Sequence, residues 1–495
     1  MKLHKYNIFG VSILLIMVLA SSLIKYKNMK DDNGIENIEA SYHVLLIAKS
    51  ISERNFSEHH FLPLVTLGGA VNSNIPWGAA VPDKSGGYIY TSFPSFGFLV
   101  PEMFIRTLNL DYSIQSLFYI NLLILISTSI ISYSLILKLF KPERCFGFVL
   151  AAIACAPLIL SRESLASSGI LYWPQSLSQL LISAFMLSVA RRIESKTRSS
   201  LFFVFASCLL IALTEWTGFV LGGLSLLYFT LSKANRDYRL AISIMSSLVA
   251  SLLIFGMQLL LTLDLSTFTS ASLARFSVRS GENANFTDLI FGYYESFSLF
   301  LLVIPVYIAH KFIGRNKSNN LTRIAILLCV FMLVENVILA QHATSYTFDR
   351  FKLAFLLAVL IGELIVSEAQ KLRLVTLVII LISIPLSINT YKKDISKFKD
   401  WVSIQKSNHE LASRIKEVNG FECARIFNST RVRAYLNLIL NRSVWEHVPG
   451  DSDLRSSTDS KCPIIIINGD LPYKDLQEIS SAYVYRNGIK VETIE

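Results

Sequence analysis

From Ser113 to Leu137 the chain runs without a single charged side chain. Inside a bilayer no water is available to satisfy an exposed peptide group, so such a stretch crosses only as a helix that bonds its own backbone. About 20 predominantly apolar residues suffice for one crossing. Runs of this kind recur along most of the sequence. They place eleven spans at roughly 8–24, 113–139, 145–160, 177–190, 200–214, 217–231, 239–262, 296–311, 322–340, 351–367 and 373–390. Only Thr214, Glu215 and Trp216 part the fifth from the sixth, which predicts a tight helical hairpin. Charged residues make up 17% of the chain, against about 25% in soluble proteins. Mean hydropathy is +0.49. The first span follows the basic start Met1–Lys5 and lacks a small-x-small cleavage site, so it reads as an anchor.

The formal charge of +10 would suggest nucleic acid in a soluble protein. Here it sets orientation, and no nucleic-acid partner is expected. One set of short loops carries Lys141, Arg144, Arg191, Arg192, Lys196, Arg198, Lys233, Arg236 and further basic residues, whereas the opposite set holds only Arg162, Arg275, Arg279, Arg350 and Lys352. The basic side is cytoplasmic. The N-terminus is then inside, and an odd number of spans puts the C-terminus outside. Three outer regions are large: 25–112, 263–295 and everything after Thr390.

The last of these changes character. CARIFN and CPIIIIN read as strands, STRVRAYLNLILNR and LPYKDLQEIS as helices, and Asn487–Gly488 as a hairpin turn. The expected architecture is an α-helical integral membrane protein (1–390) with a large first outer loop bearing interfacial helices. A small C-terminal α/β domain (391–495) follows. Cys145, Cys155, Cys208 and Cys329 fall in or beside spans, while Cys423 and Cys462 lie in the outer domain, where an oxidising compartment permits a bridge. No Cys-x-x-Cys or His-Glu-x-x-His spacing occurs, so no zinc site is indicated and any metal requirement stays open.

Chemistry-bearing residues gather on the outer side. The stretch IEASYHVLLIAKSI, wound as a helix, puts Glu39, His43 and Ser50 on one edge and Ala40, Val44, Ile47 and Ile51 on another face. It reads as a helix lying on an apolar surface with its polar edge held away. His59 and His60 adjoin FLPLVTLGG. Asp83 sits in PDKSGGY, where Gly86 and Gly87 allow a tight turn. Trp77, Tyr88 and Tyr90 suit either a sugar-stacking role or an interfacial aromatic belt. Arg275 and Arg279, four residues apart in a helical stretch, would form a two-pronged anion site; Arg350 and Lys352 follow QHATSYTFD at the mouth of a span. His342 and Tyr346 lie one turn apart and line the same cleft if helical. Glu163, Glu215 and Glu335 are carboxylates at or near membrane depth, where an ionisable group normally has a partner or a task. No role is assigned to Glu335.

In layout the chain resembles the C-type glycosyltransferase superfamily, in particular the bacterial relatives of protein O-mannosyltransferases and of the aminoarabinose transferase of lipid A. Their Asp-Glu-x-x-Tyr motif at the head of the first outer loop is matched here by Glu39 and Tyr42, with Ile38 in place of the Asp. Their Tyr-x-x-x-Pro-Pro-Leu is matched by Tyr90-Thr91-Ser92-Phe93-Pro94-Ser95-Phe96, with one proline kept. The resemblance implies a multi-pass enzyme of the bacterial inner membrane. Such an enzyme moves a sugar from a polyprenyl-phosphate donor to a glycan, lipid or protein hydroxyl in the periplasm. Within it Glu39 is the expected general base, with Asp83 as a second catalytic carboxylate. His43, His59, His60, Tyr88, Arg275, Arg279, His342, Tyr346 and Arg350 are the expected donor and substrate contacts. Three other readings stand beside it: an envelope polysaccharide polymerase or ligase, a transporter, and an inactive relative serving as an assembly or binding subunit.

Overall fold

The computed structural model describes residues 2–31, 34–68, 80–280, 286–314, 318–367, 370–428, 434–446, 462–468, 482–486 and 489–494. Among these described residues six helical stretches are long and apolar enough to cross a membrane: Asn7–Lys30, Ile114–Phe140, Tyr238–Thr262, Phe286–Phe312, Asn320–Ile338 and Gln370–Lys416, the last carried by the helix Gln370–Lys397. Arg198–Ala212 and Thr217–Leu231 are shorter and form the expected hairpin. The remaining apolar runs are helical as well. The run at 145–160 is broken into Cys145–Ile153 and Ala156–Leu160, with Pro157 in the first turn of the second piece, where its missing N–H costs nothing. Pro174–Ser195 is enclosed by its neighbours, and Leu353–Gly362 continues into a π-helical turn, Glu363–Ser367.

Local sequence sets the ends of these helices. Ser113, Thr197, Asp237 and Asn319 each accept the backbone N–H three residues ahead, at the starts of Ile114–Phe140, Arg198–Ala212, Tyr238–Thr262 and Asn320–Ile338. These side chains satisfy donors that an unfinished first turn leaves open.

The helix Ile38–Glu53 departs from the sequence reading. Its apolar face is buried as expected, with Val44, Leu45, Leu46 and Ile47 inaccessible, but Ser50 on the polar edge is buried too. The helix does not lie on a surface. It is packed between Phe96–Thr107, Ile114–Phe140 and the C-terminal helix Ala434–Leu440. The third wall comes from the far end of the chain, which the periodicity of one segment cannot reveal. Beyond it, β1 (Ala80–Pro82) and β2 (Tyr88–Tyr90) pair antiparallel.

The C-terminal unit contains β3 (Arg425–Asn428), β4 (Ile464–Ile467), β5 (Ala482–Arg486) and β6 (Ile489–Ile494) in that order across one sheet. β3, β4 and β5 run parallel and β6 antiparallel. β4 reads IIII and is buried throughout, as a central parallel strand covered on both faces must be. Leu411, Ile415, Ile426, Leu440 and Ile465 form its separate core. Cys423 and Cys462 are bonded, with Cα atoms 5.4 Å apart. The unit is stitched to the first loop: Leu67 N–H donates to Ser443 Oγ at 3.0 Å, and Gln405 Nε2 donates to Tyr42 OH at 2.6 Å. The Tyr42 ring packs 4.7 Å from Tyr435 and 5.8 Å from Trp401. The expected helix LPYKDLQEIS, the turn Asn487–Gly488 and Trp77 lie outside the described residues.

Candidate functional site

A cavity of about 440 Å³ opens where the Thr91–Ser92 segment, the turn at Trp216, the helix Leu265–Ser280 and the end of Asn320–Ile338 meet. Most of its wall is apolar, from Phe219, Val220, Phe268, Ile338 and Leu339, with the Trp216 ring beside them. Among the described residues three charged side chains line it: Arg275, Arg279 and Glu335. Their spacing explains the pairing, since four residues separate the arginines and bring both to one helix face. The Nε of each arginine is buried and has no hydrogen-bond partner among the described residues. Arg279 is 5% exposed, and its guanidinium carbon lies 5.2 Å from the centre of the Phe93 ring.

Around the cavity the other charges are engaged with one another. Glu335 Oε2 accepts from Thr217 Oγ1 and from Lys352 Nζ. Lys352 also reaches Asn336 Oδ1 at 3.4 Å and stands 4.0 Å from Glu215 Oε1. Glu215, in the hairpin turn, is fully enclosed, and neither of its oxygens has a hydrogen-bond partner among the described residues. Burial pushes its carboxyl up to about 7, against the pull of Lys352. Asn336 Nδ2 donates to Tyr293 OH at 2.6 Å and to the Asp349 carbonyl at 3.0 Å.

Next to this network, His342 Nδ1 pairs with Asp349 Oδ2, and Gln175 Nε2 donates to Asp349 Oδ1 at 2.6 Å. Tyr346 packs 4.5 Å from the imidazole, and the Phe93 ring that carries Arg279 is 6.1 Å from it. Burial holds His342 below the usual imidazole range, while Asp349 pulls the other way. For Asp349 burial acts upward, and His342, Lys352 and Arg279 more than reverse it, so this carboxylate stays ionised.

Of the residues singled out in the sequence, Arg275 and Arg279 share the cavity, and His342 and Tyr346 come together beside it. Arg350 does not line the cavity. Its Nε donates to Ser296 Oγ at 2.9 Å and its Nη1 to the Ala343 and Thr344 carbonyls at 3.2 and 3.0 Å. Ser296 in turn donates to Glu163, which also takes bonds from Ser167 and Arg162. Arg162 continues to Asp394 at 2.6 Å and Glu36 at 3.0 Å. This chain of pairs fastens neighbouring helix ends to one another.

The first-loop residues line a different part of the molecule. Glu39 Oε1 accepts the Ala434 N–H at the start of Ala434–Leu440, where a carboxylate complements the helix dipole. His43 sits half-buried on the same helix. Asp83 Oδ1 accepts from Ser85 N, Ser85 Oγ and Gly87 N, each at 2.8 Å, and so closes the β1–β2 turn. Within that turn Gly86 takes a positive φ of 88°. His59 is buried, and its Nδ1 accepts the Phe61 N–H at 3.0 Å; burial lowers its pKa. His60 Nδ1 bonds Thr262 Oγ1 at 3.0 Å and ties the loop to a span. Tyr88 is half-buried on β2.

Asp349, Lys352 and Glu335 become central only in three dimensions. The signal available in the sequence was the His342-to-Asp349 spacing at the mouth of a span, together with Glu335 inside an apolar run. Among the described residues no group of three or more His, Cys, Asp or Glu side chains converges to hold a metal ion.

No protein-family signature matches this chain, and no curated protein matches it in sequence. Solved structures do share its fold. ArnT from Cupriavidus metallidurans bound to undecaprenyl phosphate superposes with a TM-score of 0.53 at 10% identity, over 89% of this chain and 85% of that one. Its apo state gives 0.50 at 11% identity, over 98% and 93%. The oligosaccharyltransferase of Archaeoglobus fulgidus gives 0.53 at 11% identity over 88% of this chain, which spans 64% of that longer protein.

Proposed function

We propose that this chain, which has the fold of the C-type membrane glycosyltransferases, moves a sugar from a polyprenyl-phosphate carrier to a hydroxyl of an envelope glycan, lipid or protein. Transfer takes place on the periplasmic face of the bacterial inner membrane. In this reading the eleven apolar helical runs cross the membrane, the N-terminus is cytoplasmic and residues 391–495 form a periplasmic domain. The bonded cysteines of that domain suit an oxidising compartment.

The observation that carries the reading is an apolar cavity with two arginines whose Nε donors have no hydrogen-bond partner among the described residues. An isoprenoid chain needs apolar walls, and its phosphate needs forked cationic donors. Arginine supplies two parallel N–H bonds to one oxyanion. When the bond from sugar to phosphate breaks, negative charge grows on the phosphate. Donors already aimed there stabilise it without reorganisation. Undecaprenyl phosphate in the ArnT structure, and a dolichol-phosphate in a complex of the archaeal enzyme, support a carrier of this kind.

For the acceptor proton the sequence nominates Glu39, and the loss expected of a missing general base is about 10²–10⁴-fold. Glu39→Gln assayed at saturating donor measures that nomination directly.

The test of the function uses purified protein, a panel of synthetic polyprenyl-phosphate sugars and envelope glycolipid from a deletion strain as acceptor. Wild type should label the glycolipid. Arg275→Ala and Arg279→Ala should each raise the donor KM by about 10–100-fold, the worth of a charge-assisted hydrogen bond of about 1.5–3 kcal/mol. Unchanged KM in the double variant would remove the cavity as the carrier site.

A further inference from the structure

His342 sits in the short helix Ala340–Ser345, just beyond the span Asn320–Ile338. Its surroundings are built as a relay. Asp349 Oδ2 holds Nδ1, Gln175 holds the other Asp349 oxygen at 2.6 Å, and Asn336 holds the Asp349 carbonyl at 3.0 Å. An ionised carboxylate can only accept, so the imidazole proton is on Nδ1 and the lone pair on Nε2. Among the described residues no hydrogen bond occupies Nε2. Tyr346 and Phe93 pack against the imidazole, and the Phe93 ring also carries Arg279, its guanidinium carbon 5.2 Å from the ring centre. The imidazole and a guanidinium of the cavity thus share contact with one aromatic ring.

We propose that His342, oriented by Asp349, takes the proton of the acceptor hydroxyl, an assignment that rests on the transferase reading above. In the step, the acceptor O–H proton passes to His342 Nε2 and the acceptor oxygen bonds to the anomeric carbon. The bond from that carbon to the phosphate oxygen breaks. Its electron pair leaves with the polyprenyl phosphate, held by Arg275 and Arg279. The imidazolium, paired with Asp349, then returns its proton to water. A base works best when it is neutral near the working pH, and burial favours the neutral ring here.

The charges that set its titration come from every packed element. Asp349 favours the imidazolium, and Glu335 adds to it from the preceding span; Arg279 opposes them. Lys352 pairs with Glu335, Arg350 donates to the Ala343 and Thr344 carbonyls, and Tyr293 faces Asn336.

The experiment compares His342→Asn, His342→Ala, Asp349→Asn and Glu39→Gln as full-length protein in nanodiscs. Transfer is measured at saturating donor across pH 5–9, and binding of undecaprenyl phosphate is measured separately. His342→Asn should lower transfer by about 10²–10⁴-fold with carrier binding intact. His342→Ala should regain turnover in added imidazole. Asp349→Asn should move the acid limb of the pH profile to lower pH, because the imidazolium loses its carboxylate. Normal transfer by His342→Asn overturns the assignment. So does a loss matched by lost carrier binding and untouched by imidazole, which is the mark of a structural role. A wild-type acid limb retained by His342→Asn and abolished in Glu39→Gln returns the base to Glu39. If wild type itself neither binds undecaprenyl phosphate nor transfers any sugar of the panel, the transferase reading fails and the relay falls with it.

Discussion

Replacing Lys352 by methionine removes one positive charge that two buried carboxylates share. Lys352 is 3% exposed, and its ammonium donates to Glu335 and Asn336 and stands 4.0 Å from Glu215. Removing one partner of a buried pair costs about 3–5 kcal/mol, because the other charge is left in a poor solvent. Glu335 keeps its bond from Thr217, so a loss of about 3 kcal/mol is expected, mostly from Glu215. Adding Glu215→Gln and Glu335→Gln in the same chain should recover most of it, since a neutral set of similar shape is often as stable as the ion pair. The penalty should also depend on pH. The Glu215 carboxyl is raised from 4.5 to about 7. Stability that comes from its protonated form is therefore complete below about 4.5 and is lost as pH rises through about 7. Lys352→Met should thus be less damaging at pH 5.5 than at pH 8. Cys155, Cys208 and Cys329 are buried and free, so a thiol-reactive dye reports thermal unfolding in detergent directly. Equal melting of wild type and Lys352→Met at pH 8, or a triple variant no better than the single, would refute the shared-charge account.

Quantitative thiol labelling of denatured, unreduced protein should find Cys423 and Cys462 blocked and the other four cysteines reactive. Reduction should loosen the C-terminal unit by on the order of 4 kcal/mol, the chain-entropy value for a closed loop of 39 residues. Arg442 donates to the Phe421, Glu422 and Ala424 carbonyls, so Arg442→Ala should cost about 2–4 kcal/mol by leaving these acceptors unpaired. The C-terminal unit should then be cut by protease while the membrane helices stay intact, and equal resistance would argue against the role. A reporter active only in the periplasm should work when fused after Glu495 and fail at Lys196; the reverse pattern would invert the topology.

Some of this protein is written locally. Charge-free runs demand helices in lipid, Thr214-Glu215-Trp216 is too short to be anything but a hairpin turn, and the i, i+4 placement of Arg275 and Arg279 puts both on one helix face. The strands CARIFN and CPIIIIN were legible for the same reason, since β-branched runs between breakers need only their neighbours to be recognised. The residues that meet across the fold were not. Glu39 reads as the polar edge of a surface helix, yet it receives the amide of Ala434, 395 residues away. Asp349 belongs to no local motif, although the structure gives it His342 and Gln175 as partners and sets it in the field of Arg279. Glu335 in an apolar run announced that a partner must exist, without naming Lys352 or Thr217. Periodicity reports how much of each side chain is withdrawn from solvent, a property of one residue and its local helix. Which carboxylate meets which cation is decided by the packing of helices distant in sequence, because only there do two charges come close enough, in a medium dry enough, to govern one another.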